Sequence, residues 1–592
     1  MKIMAKIFRQ SARIVILFLL LSACAGEEQK NITILETTDV HGVILPFDFI
    51  EKKSIDVSLA STFTYVRQLR KDKEAVILLD DGDNLQGQPA VYYYNFIDTL
   101  SPHLLAEVMN FMDYDAVTVG NHDVETGHSV YDRLVKEYKF PLLAANAVNV
   151  RTGEPYFKPY SIIRKNGIRI AVLGLVTPSI HNTLPRELYE GVEFRDMIET
   201  ARHWMPLIKK ENPDLIIGLF HAGWFDPDSE SRSSGSHDDE GTTSIAYNIP
   251  GFDIIFTGHD HKTVNKKIVN ISGDTVLILN GGSRSMNIAR ADVTFEKDKK
   301  SGIQRKTYTG QILKVADYKP DDEFINKFTG NHDAIRGYVD EVIGNSSETI
   351  SSRDSYFGSS AFVDMIHSLQ LEITGADISF AAPLSFDVNI SEGPVTVGDM
   401  FKLYRFENML YTMALTGEEI LKYLEYSYSG WYNTISGTDD LLLKFRTDKK
   451  GKLLVTDGNV WLKNPAYNFD SAAGIDYVVD VSKPEGLRIT IKGLTNGNKF
   501  DPGKTYLVAV NSYRGNGGGG HFNEGVGLDK TEMMSRIIKS TERDLRYYMI
   551  ESIRQKKHIK PLPLNNWKLI PEDIVNIAAT RDYKLLFGED RQ

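Results

Sequence analysis

Five times between residues 31 and 261, an apolar segment gives way to a short motif of Asp, Asn, His and Gly. The runs at 32–35, 75–79, 168–175, 215–220 and 254–256 are continuous and rich in β-branched residues, the pattern of strands buried on both faces. Stretches of helical spacing at 104–112 and 129–138 supply crossovers. Residues 31–316 are therefore expected to form a layered α/β domain with a metal site at its strand ends. In open α/β sheets the carboxyl ends of the strands share one edge, so motifs distant in sequence can converge there.

The motifs are Asp39-Val40-His41, Gly82-Asp83, Gly120-Asn121-His122-Asp123, His221-Ala222-Gly223 and Gly258-His259-Asp260-His261. Imidazole, carboxylate and amide oxygen together suit first-row divalent metals. In Asp39-x-His41, alternate residues of an extended chain face one side, so both can reach one ion. Glycines beside Asp83, Asn121 and His259 allow sharp turns or close backbone approach. Each motif alone is weak: a Gly-Asp pair is usually a turn, and a His after a strand is usually structural. Five in order, each after a strand, make a strong signal. Gly330-Asn331-His332-Asp333 repeats the third motif, but no strand precedes it, and a helix surface is the better reading.

Residues 1–26 carry Lys2, Lys6, Arg9 and Arg13, then an apolar run at 14–21 too short to span a bilayer, then Leu21-Ser22-Ala23-Cys24. This is the pattern of a bacterial lipoprotein leader. An exported chain anchored through Cys24, facing the periplasm or the cell surface, is expected. Cys24 is the single cysteine, so no internal disulfide can form. The formal net charge of −11 disfavours polymeric nucleic acid, which calls for basic stripes. It does not exclude a small anionic substrate, because bound metals can invert the local field.

Residues 317–343 have helical spacing and are expected to form a linker helix. Residues 344–592 mix helices (359–373, 417–427) with strands (487–491, 505–510) and should form a second, α+β domain that selects substrate. The stretch 229–236 with His237-Asp238-Asp239-Glu240 is expected as an acidic loop.

The five motifs resemble those of calcineurin-like metallophosphoesterases. From about 31 to 530 the chain resembles the exported 5′-nucleotidase family, which includes UDP-sugar hydrolases and 2′,3′-cyclic-nucleotide phosphodiesterase/3′-nucleotidases. The resemblance implies two divalent metals (Mn, Zn, Fe or Co), one held by Asp39, His41, Asp83 and His261. Asp83 would bridge to the second, completed by Asn121, His221 and His259. A metal-bound water would attack phosphorus. His122 matches the catalytic histidine, with Glu125 in place of the family's aspartate partner. Tyr467 and Tyr513 match the residues that sandwich the nucleobase. Asn468, Arg405 and Arg514 are further substrate-binding candidates.

Three segments, Ser379-Phe380-Ala381-Ala382-Pro383, Tyr467-Asn468-Phe469-Asp470 with Gly474-Ile475-Asp476-Tyr477, and 511–518, resemble the cyclic-phosphodiesterase branch. The 5′-nucleotidase branch carries a Gly-Gly-Ile-Arg segment where this chain has Ala382-Pro383-Leu384-Ser385, and an Asp where it has Gly519. The expected activity is hydrolysis of 2′,3′-cyclic nucleotides and 3′-nucleotides by a monomer. The alternative is a 5′-nucleotidase or UDP-sugar hydrolase. A non-catalytic nucleotide-binding lipoprotein is a weaker alternative, since every ligand position is filled.

Overall fold

The computed structural model describes residues 28–588, except 74, 227–240, 298–303 and 457. The leader, Cys24 and the 237–240 stretch lie outside the described residues.

The first half is built on two six-stranded sheets rather than one. In the first, strands run in the order Gln304–Lys314, Asn287–Lys297, Glu28–Thr37, Val76–Asp80, Ala116–Thr118 and Leu142–Leu143. The last four are mutually parallel. In the second the order is Thr263–Val269, Thr275–Gly281, Ile254–Thr257, Leu215–His221, Ile168–Val176 and Tyr160–Lys165, with a parallel centre and antiparallel edges. One cluster of buried aliphatics, including Ile34, Ile77, Val172, Ile217 and Leu279, lies between the sheets. Helices cover the outer faces: Leu59–Asp72 and Leu104–Met112 on the first sheet, Met197–Lys210 on the second. This explains the continuous apolar runs. One strand face meets the other sheet and the opposite face meets helices, so neither is left for polar residues.

The segment read as one linker helix is two, Asp322–Lys327 and Thr329–Val339, with Phe328 at the break. Asp321 caps the first by accepting the Phe324 N–H at 3.0 Å. Phe324, Phe328, Ile335 and Val339 are buried against the first half. Val342, which shared their spacing, is exposed and belongs to the strand Val342–Ser346. His332 packs edge-on against Phe47, so the repeated tetrapeptide lies on a helix that is packed against the first half.

The second half centres on a five-stranded sheet: Ser471–Ala473, Ile378–Ala381, Thr505–Asn511, Leu410–Thr416 and Ile537–Ser540. Helix Gly417–Trp431 opens on a capping box in which Thr416 and Glu419 each accept the other's backbone N–H. Residues after 530 are structural. They add a strand to this sheet, and Trp567–Ile570 completes a three-stranded one. The helix Glu572–Phe587 buries Val575, Ala578, Ala579 and Tyr583 in the second core. The halves meet through buried polar contacts, among them Tyr92 donating to Asp544 at 2.9 Å. Among the described residues no helix is long and apolar enough to cross a membrane.

Candidate dinuclear metal centre

The five motifs occupy loops at the carboxyl ends of parallel strands, three from the first sheet and two from the second. They come together in two clusters of donors. Asp39, His41 and His261 form one and Asp83, His221 and His259 the other, with donor atoms within 4.8 Å of one another in each. His261 Nε2 lies 3.3 Å from Asp39 Oδ1 and 3.0 Å from His41 Nε2. His221 Nε2 lies 3.1 Å from Asp83 Oδ2 and 3.2 Å from the Asn121 amide oxygen. All seven residues expected as ligands are therefore neighbours.

The backbone is bent to achieve this. Asp39, His41, Asp83, His259 and His261 all have left-handed φ between 49° and 69°. Non-glycine residues adopt that region at a cost of about 1–3 kcal/mol each, and such strain gathers at functional sites. Glycine is needed where the loops cross: a Cβ on Gly120 would stand 2.1 Å from Asp83 Oδ1, and one on Gly82 2.5 Å from Gly120 N. Asp123 staples this crossing. Its carboxylate accepts the N–H groups of Asp83, Asn84, Leu85 and Gly120 at 2.8–3.1 Å. Sequence reading quoted Asp123 within its motif but gave it no role; only the folded loops show what it joins.

Outer contacts orient the rings. His41 Nδ1 lies 3.0 Å from the Gln86 carbonyl and His221 Nδ1 2.5 Å from that of Asp81, which leaves both Nε2 atoms facing the clusters. Burial pulls His41 down to about 4, with Asp83 opposing, so its ring is neutral and fit to ligate. Burial works against ionised Asp83, but His221 and His122 hold its carboxyl well below the usual range. The donor set, its mixed chemistry and its preset tautomers fit a pair of divalent cations.

Beside the clusters, His122 Nδ1 lies 2.5 Å from Glu125 Oε2, so the longer glutamate reaches its histidine. The His122 N–H donates to Asp83 Oδ1 at 2.8 Å, tying this pair to the cluster. Burial lowers the His122 pKa, yet Asp83 and Glu125 outweigh it and raise it to about 10.

A cavity of about 440 Å³ runs from Asn121, His122, His259 and His261 to Tyr467 and Tyr513 in the second half. Asn511, from the 511–518 segment, also lines it, with Phe406 and Asn408, which no motif marked. The two tyrosines do not form a parallel slot. Their rings meet at 85° with centroids 6.4 Å apart, the edge-to-face contact that ring quadrupoles favour. Arg514 does not line this cavity. Its guanidinium is buried, and it donates to both Asp470 oxygens at 3.0 Å and to the Tyr467 carbonyl at 2.8 Å. Asn468 turns its amide oxygen to Arg514 at 3.2 Å. These two hold the tyrosine-bearing segments together instead of facing the cavity. Arg405 is half-buried beside the candidate centre.

Fold and donor set together define a metal-dependent hydrolase of phosphoric esters. Family models agree: residues 32–263 match the calcineurin-like phosphoesterase domain, and 342–524 match the 5′-nucleotidase C-terminal domain. The chain thus carries both domains, one after the other. It is 26% identical to the 2′,3′-cyclic-nucleotide 2′-phosphodiesterase/3′-nucleotidase of Haemophilus influenzae, over 92% of this chain and 88% of that one. It is also 26% identical to the trifunctional nucleotide phosphoesterase YfkN of Bacillus subtilis, over 93% of this chain but 40% of that longer protein. In fold it is similar to a Staphylococcus aureus protein solved with α-ketoglutarate. That match has a TM-score of 0.73 and 20% identity, and covers 91% of this chain and 100% of that one.

Proposed function

We propose that this chain hydrolyses nucleotides outside the cytoplasm, anchored through Cys24, with 2′,3′-cyclic nucleotides and 3′-nucleotides as favoured substrates. The observation that carries this reading is the single cavity joining two metal-competent clusters to a pair of tyrosines in the other half. Two divalent ions, held by Asp39, His41, Asp83, Asn121, His221, His259 and His261, would supply charge stabilisation and an activated water. The protein's own residues do the rest. Glu125 fixes the His122 ring through Nδ1, and the other ring nitrogen has no partner among the described residues. His122 can therefore donate to a phosphoryl oxygen or to the departing oxygen of the substrate. Tyr467, Tyr513 and Phe406 offer aromatic surface to a base. The likeness to the Haemophilus protein and the absence of an arginine at 382–385 favour the cyclic and 3′ substrates.

The second reading is 5′-nucleotide or nucleotide-sugar hydrolysis, supported by the 5′-nucleotidase C-terminal domain. A turnover panel with added Mn²⁺ separates them: 2′,3′-cyclic AMP, 3′-AMP, 5′-AMP, UDP-glucose and bis-p-nitrophenyl phosphate. Cyclic AMP and 3′-AMP should lead in kcat/KM. A lead for 5′-AMP would reverse the preference, and no turnover of any ester would end the reading.

A further inference from the structure

A second cavity, of about 210 Å³, opens on the other side of the candidate centre. It shares His122, His261 and Phe406 with the larger one, but its far wall carries Arg284 and Arg405. Arg284 follows the strand Thr275–Gly281 of the first half. Arg405 follows the helix Val397–Leu403 of the second. One guanidinium thus comes from each half.

Other arginines near this interface have protein hydrogen-bond partners. Arg546, for example, donates to the carbonyls of Tyr404 and Arg405. The side chains of Arg284 and Arg405 make no hydrogen bond or ion pair with any described residue. Arg284 is solvent-exposed as a residue, yet partial desolvation of its guanidinium and the neighbouring Arg405 both work against its charge, with Asp48 the opposing influence. Asp48 already accepts the N–H groups of Ile50 and Glu51, at 2.9 and 3.0 Å. The carboxylates of Asp48 and Glu51 line the same cavity, but neither pairs directly with a guanidinium, so the two like charges lie near one another with no ion pair to hold them.

The backbone is nevertheless strained to present one of them. Arg284 and Ser285 have φ of 55° and 53°. The loop is pinned by Arg284 N–H to the Asp39 carbonyl at 2.7 Å and Ser285 Oγ to the Val43 carbonyl at 3.1 Å. Arg284 is thereby locked to a candidate metal ligand, while its own guanidinium remains free.

We infer that Arg284 and Arg405 form an anion subsite for a second phosphoryl group of the substrate, beyond the one that reacts. This rests on the nucleotide-hydrolase reading and extends it to nucleotides that carry a further phosphoryl group. Planar guanidinium forks suit phosphate oxygens. The second group can be linked by anhydride to the first or sit on another ribose hydroxyl, and the chemistry of recognition is the same.

The test uses the full chain with Mn²⁺ and compares wild type with Arg284→Gln and Arg405→Gln. Neither variant breaks a described side-chain contact, and unchanged thermal melting checks the fold. kcat/KM is measured for 5′-AMP and 5′-ADP, for 3′-AMP and adenosine 3′,5′-bisphosphate, and for bis-p-nitrophenyl phosphate. Each variant should lower the ADP/AMP ratio or the bisphosphate/3′-AMP ratio about ten-fold, and the ratio that falls identifies the linkage. Arg284→Lys should fall less than Arg284→Gln. Ratios unmoved in both variants would overturn the subsite. An equal loss on every substrate, bis-p-nitrophenyl phosphate included, would also overturn it and assign the arginines to the reacting phosphoryl. If the wild type turns over none of these esters, the phosphoesterase reading fails and the subsite with it.

Discussion

The two walls of the cleft are built on opposite principles. The first-half wall concentrates cost: five of its seven candidate ligands sit at left-handed φ, and its carboxylates are buried. Behind them Glu36 and Asp81 are also fully buried, with none of their four oxygens hydrogen-bonded, and burial raises both pKa values well above the usual range. The second-half wall carries less of this. Its left-handed non-glycine residues, Lys557 and Asn565, do not line the cavity, and buried Arg514 is matched by Asp470 and neighbouring carbonyls, though Glu407, between the cavity-lining Phe406 and Asn408, is buried with neither oxygen hydrogen-bonded. The metal-competent wall thus concentrates backbone strain and unpartnered carboxylates, whereas the tyrosine-bearing segments of the other wall are tied together by the Arg514–Asp470 pair.

The strongest way to break this contrast is Asp83→Ala, because Asp83 touches both His221 and the His122 backbone. Activity on any phosphate ester should fall roughly a thousand-fold or more, and elemental analysis should find fewer metal ions per chain. The second half should keep its fold, since none of its contacts depends on Asp83. Full metal content with full activity would refute the two-metal assignment.

Arg514→Met tests the other wall. It leaves the Asp470 carboxylate buried without its guanidinium, and removing one partner of such a pair typically costs about 3–5 kcal/mol. Urea unfolding of the second half should show a loss of this size. The double variant Arg514→Met/Asp470→Asn should recover part of it. KM for nucleotides should rise as well, because Arg514 also holds the Tyr467 carbonyl. A loss below about 1 kcal/mol in the single variant would mean that this wall is not held as described.

The same contrast explains what could be read before folding. Metal-type donors are few, and their spacing after apolar runs is a strong local pattern, so the motifs that hold the seven candidate ligands stood out, while the choice of ligands and the His122–Glu125 pair came from the family resemblance. The strands could be placed because burial on both faces leaves a continuous apolar run, as at 168–176 and 215–221. That these strands divide into two sheets was hidden, because a run buried by a sheet looks like one buried by a helix. The aromatic wall gave weaker signals. Tyr467 is one of 28 tyrosines, and nothing in the letters shows that Arg514 turns inward to Asp470 while Arg405 stays in the cleft. Arg284 was invisible for a related reason: its importance lies in a left-handed loop pinned to Asp39, 245 positions away in the chain.

A smaller effect sharpens the contrast from within the first wall. In metal-free protein, Asp83 and Glu125 hold His122 protonated up to about pH 10, against an ordinary histidine value of 6.5. A group whose pKa is raised by folding contributes stability that is complete below its unfolded value and disappears as pH climbs through the folded one. The charge of His122 should therefore stabilise the metal-free fold fully below about pH 6.5, and that contribution should be lost by about pH 10. Glu125→Gln removes one of the two carboxylates responsible. The wild type should exceed the variant in urea midpoint by most at the acid end of this window, and the gap should narrow steadily toward its alkaline end. An NMR titration should show the His122 ring titrating lower in the variant. A gap independent of pH, with an unmoved ring titration, would show that Glu125 acts on this wall by packing and not by charge.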